Sequence, residues 1–499
     1  MYSSARSTPQ PTLLPWMLGW LLLWLLWTGW WDGALYGDNV EQFIWAHSME
    51  WGYHKHPPMP TWILGGALAL LGPHWWLTNA LAGLCFAGTG LFTWLIARRL
   101  GGLQVAAVTV VLWGLQQSFS VTAHIYNHNT VLVLWVAALV WCVLRALDSS
   151  RHPMAWWALG GVLAAGALLS KYQALLPLGA LSLLALARAK PARRVWQGLA
   201  MALTVCMGLM VPHALWSVTN HFPSLRYASN AIESGSPAHR FAWVLSFFVN
   251  QVRMVLPLLL ACLLAWAWSH WAHVRDAGPV TRALTGVRSS GPSGGRADAT
   301  WWMLTLLWGP LVMVVIGSLA SGGVLRNHWG VQLCQFVCLW VAWNWRHSAT
   351  LALSRLLVCA ALVHLLGLGY YAAKQSNPLA AQAEGRADAA YPARAMAQAG
   401  LALWDVSTHC PLRIVAGDFE AGLVSVYSGR NPVVYGDATA TPWVTAADVQ
   451  AQGALYVAAK ATDLPAGLAG QRSWALNEAL APQGKKVWMA VQLPAKTCD

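Results

Sequence analysis

Apolar runs long enough to cross a bilayer's hydrocarbon core recur along the chain, separated by short polar or arginine-bearing stretches. Hydropathy gives eleven of them: Leu13–Trp31, Trp75–Ala97, Val105–Thr122, Val131–Leu147, Met154–Leu169, Ala174–Ala187, Trp196–Trp216, Trp243–His270, Trp301–Ala320, Trp329–Trp345 and Leu351–Tyr371. They predict a polytopic α-helical membrane domain over residues 1–371. After Tyr371 the pattern changes, because Ala, Gly, Pro and charged residues increase and no further span follows. Tyr391–Val406 and Ala446–Gln452 have helical spacing, and Leu412–Ala416, Pro432–Tyr435, Ala454–Ala458 and Val487–Leu493 look like strands. That alternation predicts a small α/β domain over residues 372–499. In it, Asp418 and Glu420 read as turn and helix-cap groups rather than as a site.

Composition agrees with the pattern. A mean hydropathy of +0.46 with 57% hydrophobic residues excludes an ordinary soluble globule. The 34 tryptophans suit a protein whose indoles gather at the headgroup level. A net charge of +13 invites a nucleic-acid partner, but no basic stripe interleaved with aromatics occurs, so none is expected.

The cations instead report topology. With a cytoplasmic start, the inner stretches carry 15 Lys and Arg, and the short outer loops carry five: Lys55, Lys171, Arg226, Arg240 and Arg326. The loop over residues 32–74 and the C-terminal domain therefore face outward. Trp30-Trp31-Asp32 offers no small-residue cleavage site, so the first span is expected to stay in the protein. The inner stretch His273–Thr300 reads as a flexible linker. Seven cysteines fall in spans, where they pack as small apolar groups, and Cys410 and Cys498 are left to pair if the tail is periplasmic.

Only 10% of residues are charged, yet the stretch Asp38–Pro58 of the first outer loop gathers three carboxylates, a lysine and three histidines. Ions beside a bilayer are costly unless they act. The Asp38 carboxylate suits a general base, and Glu41 shares its face if the segment is helical. His54, Lys55 and His56 precede Pro57-Pro58, whose rings stiffen the turn into a basic patch suited to phosphate. Zinc on His54 and His56 lacks a third ligand.

Other outer regions add polar groups: Asn127, His128 and Asn129 at the fourth span; Lys171 and Tyr172 at a turn; Gln251 and Arg253 in the eighth span; and Arg326 and His328 before the tenth. Each alone reads as a snorkelling cation or a helix cap. At one membrane level they describe an outward-facing cavity for an anionic lipid head.

The segments Asp38-Asn39 through Phe43 and Trp51-Gly52-Tyr53-His54-Lys55-His56-Pro57-Pro58-Met59-Pro60-Thr61-Trp62 resemble the first outer loop of the protein O-mannosyltransferase and lipid A aminoarabinose transferase family. Those are C-type glycosyltransferases using polyprenyl-phosphate-linked sugars. Leu169-Ser170-Lys171-Tyr172 and Asn327-His328-Trp329-Gly330 are similar to later segments of bacterial members. The resemblance implies a C-type glycosyltransferase fold, with Asp38 as the base that activates the acceptor and His56 at the donor phosphate. It implies a lipid-linked donor and a lipid, glycan or protein acceptor. With that frame, Tyr53, Lys55, His56, Lys171, Tyr172, Arg253, Arg326 and His328 become candidates for the donor phosphate. His54, Asn127, His128, Asn129 and Gln251 become candidates for sugar or acceptor.

This chain has Asn39 where the family has an acid after the aspartate, Lys55 where an acid is common, and Asn127–Asn129 where an acid opens the fourth span. Those departures remove candidate metal ligands. A tightly bound divalent cation is therefore not expected, and Lys55 is expected to supply the positive charge. The implied reaction is a single displacement at the anomeric carbon with inversion, the cations stabilising the departing phosphate. The competing class is a transporter or flippase for a lipid-linked or anionic solute, which needs ionisable groups near the bilayer midplane.

Overall fold

The computed structural model describes residues 13–188, 192–231, 237–276, 293–346, 352–377, 392–475, 486–495 and 498. Residues 277–292 of the expected inner linker lie outside them. The membrane part contains α1 (Leu14–Trp31), α2 (Gly37–Trp45), α3 (Met59–Leu71), α4 (Leu77–Trp113), α5 (His128–Asp148), α6 (Pro153–Ser170) and α7 (Leu175–Arg188). It continues with α8 (Ala192–Thr219), α9 (Pro223–Ala231), α10 (Pro237–Asp276), α11 (Ser293–Ser321), α12 (Gly330–Leu333), α13 (Val337–Trp345) and α14 (Leu353–Gln375).

Among the described residues seven helices are long and apolar enough to cross a membrane, and the chain is a multi-pass membrane protein. The expected count of eleven is not reached by that measure, for local reasons. The expected spans Trp75–Ala97 and Val105–Thr122 run together as α4, bent where Gly102 takes a φ of +81°. Glycine reaches that conformation without a Cβ clash. The second of them stops at Trp113, short of Thr122, and a 3₁₀ turn follows at Gln117–Phe119. The expected span Trp329–Trp345 is broken into a 3₁₀ turn at Asn327–Trp329, then α12, then α13. Gln332 and Gln335 are buried inside that break.

The first outer loop is itself structured. Pro58 caps α3 and Pro60 sits in its first turn, where a missing N–H costs nothing. The prolines that bar a helix from entering thus start one. Gly72, at φ +81°, ends it.

The C-terminal part holds α15 (Ala393–Ser407), α16 (Phe419–Tyr427) and α17 (Ala446–Gln452) around a five-stranded sheet. Its strands are β1 (Ile414–Ala416), β2 (Val433–Tyr435), β3 (Ala454–Ala458), β4 (Ala469–Ala475) and β5 (Lys486–Gln492), in the order β2-β1-β3-β5-β4. The first three run parallel, pairing Val415 with Val434 and Leu455; β5 and β4 add antiparallel. The parallel strands are short apolar runs, as a sheet covered on both faces requires. Thr445 and Asp448 form a capping box on α17, which fixes its start where the sequence predicts it. Sequence patterning missed α16 and β4; the run Ala-Gly-Gln-Arg-Ser-Trp-Ala of β4 has no apolar alternation. Asp418 is the residue before α16 and Glu420 lies in its first turn, although the Asp418 side chain makes no capping bond. Cys410 and Cys498 form a disulfide with their Cα atoms 5.2 Å apart.

This domain folds back onto the first outer loop. The Ala393 N–H donates to the Gly33 carbonyl at 3.2 Å, and Tyr427 stacks on Trp75 with centroids 6.0 Å apart. The Arg394 guanidinium lies 5.0 Å from the Trp75 ring, and Trp443 meets Tyr53 edge-on at 6.2 Å.

Candidate active site

Helix α2 presents two faces of opposite duty. Asn39 and Gln42, one turn apart, are fully buried. Asn39 Nδ2 donates to Thr78 Oγ1 at 3.1 Å, to Asn79 Oδ1 at 3.1 Å and to the His124 carbonyl at 2.9 Å; its Oδ1 accepts from the Tyr126 N–H at 2.9 Å. Gln42 Oε1 accepts from Thr61 Oγ1 at 2.8 Å. Gln42 Nε2 is buried without such a partner, whereas both ends of the Asn39 amide are satisfied, so the asparagine that stands where the resembled family has an acid serves as the anchor of α2. The remaining face carries Asp38 and Glu41 to a cavity of about 1040 Å³.

Fifteen residues were singled out from the sequence, and eleven of them line this cavity: Asp38, Glu41, Lys55, His56, Asn127, His128, Asn129, Lys171, Tyr172, Arg326 and His328. Asn127 joins two elements. Its Nδ2 donates to Asp38 Oδ2 at 2.8 Å, and its Oδ1 accepts the Asn129 and Thr130 N–H groups as the cap of α5. Lys171 Nζ donates to Asn129 Oδ1 at 2.8 Å. The His56 and His128 rings lie 4.0 Å apart. Phe86, Leu176, Met254, Val314 and Val331 give the same cavity an apolar part.

The electrostatics divide the cations. Glu41 and Lys55 form a hydrogen-bonded ion pair. Burial raises the Glu41 carboxyl against the pull of Lys55, and Lys55, which burial alone would lower, is raised overall by Glu41. The positive charge that Lys55 is expected to supply is met in the structure by the Glu41 carboxylate. His56 is not a cation. Burial, then the neighbouring His128, Lys171 and Lys55, drives it well below the ordinary histidine value, and it enters the cavity as a neutral imidazole. Burial lowers His328 to about 4, with help from Lys171 and Arg326. Lys171 is lowered to about 7 by burial, with Asp38 pulling it up. Outside the Glu41–Lys55 pair, the basic side of the cavity is thus Arg326, always a cation, and Lys171, a cation below about pH 7.

Four of the fifteen lie off the cavity lining. The Tyr53 hydroxyl donates to the Ser48 carbonyl at 2.7 Å, and its ring stacks on Trp45 with centroids 4.8 Å apart. His54 packs edge-on against Trp45 and is lowered to about 4 by burial, with Lys55 adding to it. Arg253 is exposed on the side of α10. Gln251 stands behind the lining, its Nε2 donating to the Asn327 carbonyl at 3.2 Å.

Sequence reasoning missed His213, on α8. Its Nδ1 is 2.6 Å from the Trp51 carbonyl, which can only accept, so the proton sits there and Nε2 accepts from the Tyr172 hydroxyl at 2.8 Å. His213 ties the Lys171–Tyr172 turn to the first outer loop. A lone histidine inside an apolar span was the available signal. Among the described residues no group of three His, Cys, Asp or Glu side chains is placed to hold a metal ion.

Residues 55–216 match the family model for dolichyl-phosphate-mannose-protein mannosyltransferase. A lipid A galacturonosyltransferase, RgtD, of Rhizobium johnstonii is 22% identical over 235 residues. That match spans about half the length of each protein, 46% of this chain and 48% of the relative. Two structures of ArnT from Cupriavidus metallidurans share the fold over nearly the whole length. The one bound to undecaprenyl phosphate has a TM-score of 0.57 at 15% identity, covering 97% of this chain and 99% of its own. The apo state has a TM-score of 0.53 at 17% identity, covering 96% and 99%. The chain thus shares the fold of ArnT along nearly its whole length and matches the protein-mannosyltransferase model in sequence over residues 55–216, the stretch that opens inside its first outer loop.

Proposed function

We propose that the chain is a glycosyltransferase that moves a sugar from a polyprenyl-phosphate donor to an acceptor hydroxyl, with inversion, on the periplasmic face of a bacterial inner membrane. Residues 1–371 would form the transferase domain and 372–499 a periplasmic domain. One observation carries the reading: the Asp38 carboxylate, the Lys171 amine and the Arg326 guanidinium line one cavity that also has an apolar part, and Asn127 orients the carboxylate. The ArnT structure that shares this fold was solved with undecaprenyl phosphate, which supports a lipid phosphate as the donor's carrier.

In this reading Asp38 accepts the proton of the acceptor hydroxyl as its oxygen attacks the anomeric carbon. The bond to the phosphate oxygen breaks, and Lys171 and Arg326 stabilise the departing phosphate. His56, being neutral, contributes a hydrogen bond. Leu176, Met254 and Val314 offer the apolar wall that a polyprenyl chain needs. A transporter or flippase fits less well, because the charged residues of the cavity come from outer loops and helix ends. Comparing surface glycolipids and glycoproteins by mass spectrometry, in cells with and without the protein, tests the reaction. A product heavier by one sugar residue is expected, and identical profiles would overturn it.

A further inference from the structure

The catalytic helix is nine residues long, too short to hold itself in place. Asn39 and Gln42 fix it on the membrane side. On its other side lies α16 of the C-terminal domain. Gly422, inside α16, faces Val40 and Ile44 of α2. A Cβ at that position would fall 2.4 Å from Val40 Cγ1 and 2.9 Å from Ile44 Cδ1. Both distances are shorter than non-bonded carbons permit. Val40 is β-branched and 1% exposed, so it has no free rotamer into which to retreat. A glycine within a helix costs backbone entropy, and close approach of another chain segment is a physical reason to keep one there.

We infer that Gly422 is a positioning residue for the proposed transfer, and that the C-terminal domain is part of the catalytic apparatus. The bare backbone of α16 at Gly422 lets it seat against Val40 and Ile44, which sets the depth and rotation of α2. Asp38, two residues from Val40, takes its position from that seat, and Asn127 then bonds the carboxylate. Flanking contacts hold α16 at the outer surface: His47 Nε2 lies 3.3 Å from the Asn431 carbonyl, and Tyr427 stacks on Trp75. None of these residues touches the cavity. Their effect therefore falls on the geometry of the base rather than on donor binding.

The inference rests on Asp38 as the base, and the experiment keeps the two apart. Full-length Gly422→Ala and Gly422→Ala/Val40→Ala are compared with wild type for product per enzyme in membrane vesicles, and for undecaprenyl phosphate affinity in detergent. Gly422→Ala is expected to lower turnover at least tenfold, with affinity within about twofold of wild type. The second substitution removes the Val40 methyls, leaves only the far end of the Ile44 side chain to shift, and is expected to restore turnover to within about threefold. Turnover unchanged by Gly422→Ala, a parallel loss of affinity, or a fall that Val40→Ala does not rescue would each overturn the inference. If Gly422→Ala cannot be purified folded, a folded and active double variant supports the inference, and a double variant that is equally unfolded or inactive overturns it. Wild-type protein that makes no product counts against the proposed reaction instead.

Discussion

Asn127 donates a hydrogen bond of 2.8 Å to Asp38 with one end of its amide and caps α5 with the other. The carboxylate is thereby fixed to the frame of the membrane domain. Asn127→Ser keeps a capping oxygen but is too short to carry a donor from the cap to Asp38 as well. It is expected to leave stability unchanged and to lower turnover about tenfold to a hundredfold, the scale of a lost hydrogen bond to a charged group. Asn127→Ala loses the cap as well, for roughly 1 kcal/mol of stability. Turnover and thermal unfolding of both variants check the division.

Lys171 supplies a pH dependence whose sign can be worked out. Its value of about 7 lies below the ordinary lysine value, so above pH 7 Lys171 is neutral unless an anion binds beside it. A phosphate anion favours the charged form, and binding then takes up a proton. Affinity for undecaprenyl phosphate should fall as pH rises above about 7, by up to about tenfold per unit. Lys171→Arg stays charged and should flatten that slope. For stability the sign is opposite: the unfolded chain holds the proton up to its higher value, so the cost of burying the charge is present below pH 7 and fades above it. Binding isotherms from pH 6 to 9 provide the check.

Glu41 and Lys55 neutralise each other at the cavity edge, with side chains 23% and 33% exposed. Removing either partner strands a half-buried charge. Glu41→Gln or Lys55→Met should each cost about 1–3 kcal/mol, between the exposed and the buried cases. The double variant should recover most of that loss. Denaturation of the three variants measures the coupling.

The Cys410–Cys498 disulfide closes a separation of 88 residues. In the chain-entropy view such a loop stabilises the domain by about 4–5 kcal/mol. Cys498→Ser should lower the unfolding temperature of the C-terminal domain, and reductant should do the same to wild type. Thiol labelling in intact cells should find both cysteines protected until reduction, as an oxidising compartment requires.

Most spans were legible because an apolar run of bilayer length has few other uses, and strands β1, β2 and β3 stood out as apolar runs between turns. The bends were harder. The polar stretch between Ala97 and Val105 divides two spans where the structure bends at Gly102, but nothing in the hydropathy around Gln332 distinguishes a break from a continuous helix. In the site, Asp38, His56 and Lys171 were found because charge in an apolar chain is rare, whereas their charge states depend on neighbours brought from distant segments. Glu41 neutralises Lys55 across 14 residues of sequence, and His128 lies beside His56 from another helix. Asn39 is conspicuous in the sequence for the acid it replaces, and only its four hydrogen-bond partners show its work. The tail gave no hint that α16 would bear on α2, because a single helix glycine acquires meaning only from the residues facing it.

The central claim is that Asp38 is the base of a sugar transfer. The most direct measurement is Asp38→Asn in cells otherwise lacking the protein, with surface glycolipids and glycoproteins weighed by mass spectrometry. Undecaprenyl phosphate affinity of the purified variant serves as the test of folding. The expected result is loss of the one-sugar product to background, with affinity within about threefold of wild type, since Asp38 acts on the acceptor. Product at wild-type levels from a folded Asp38→Asn protein would contradict the account.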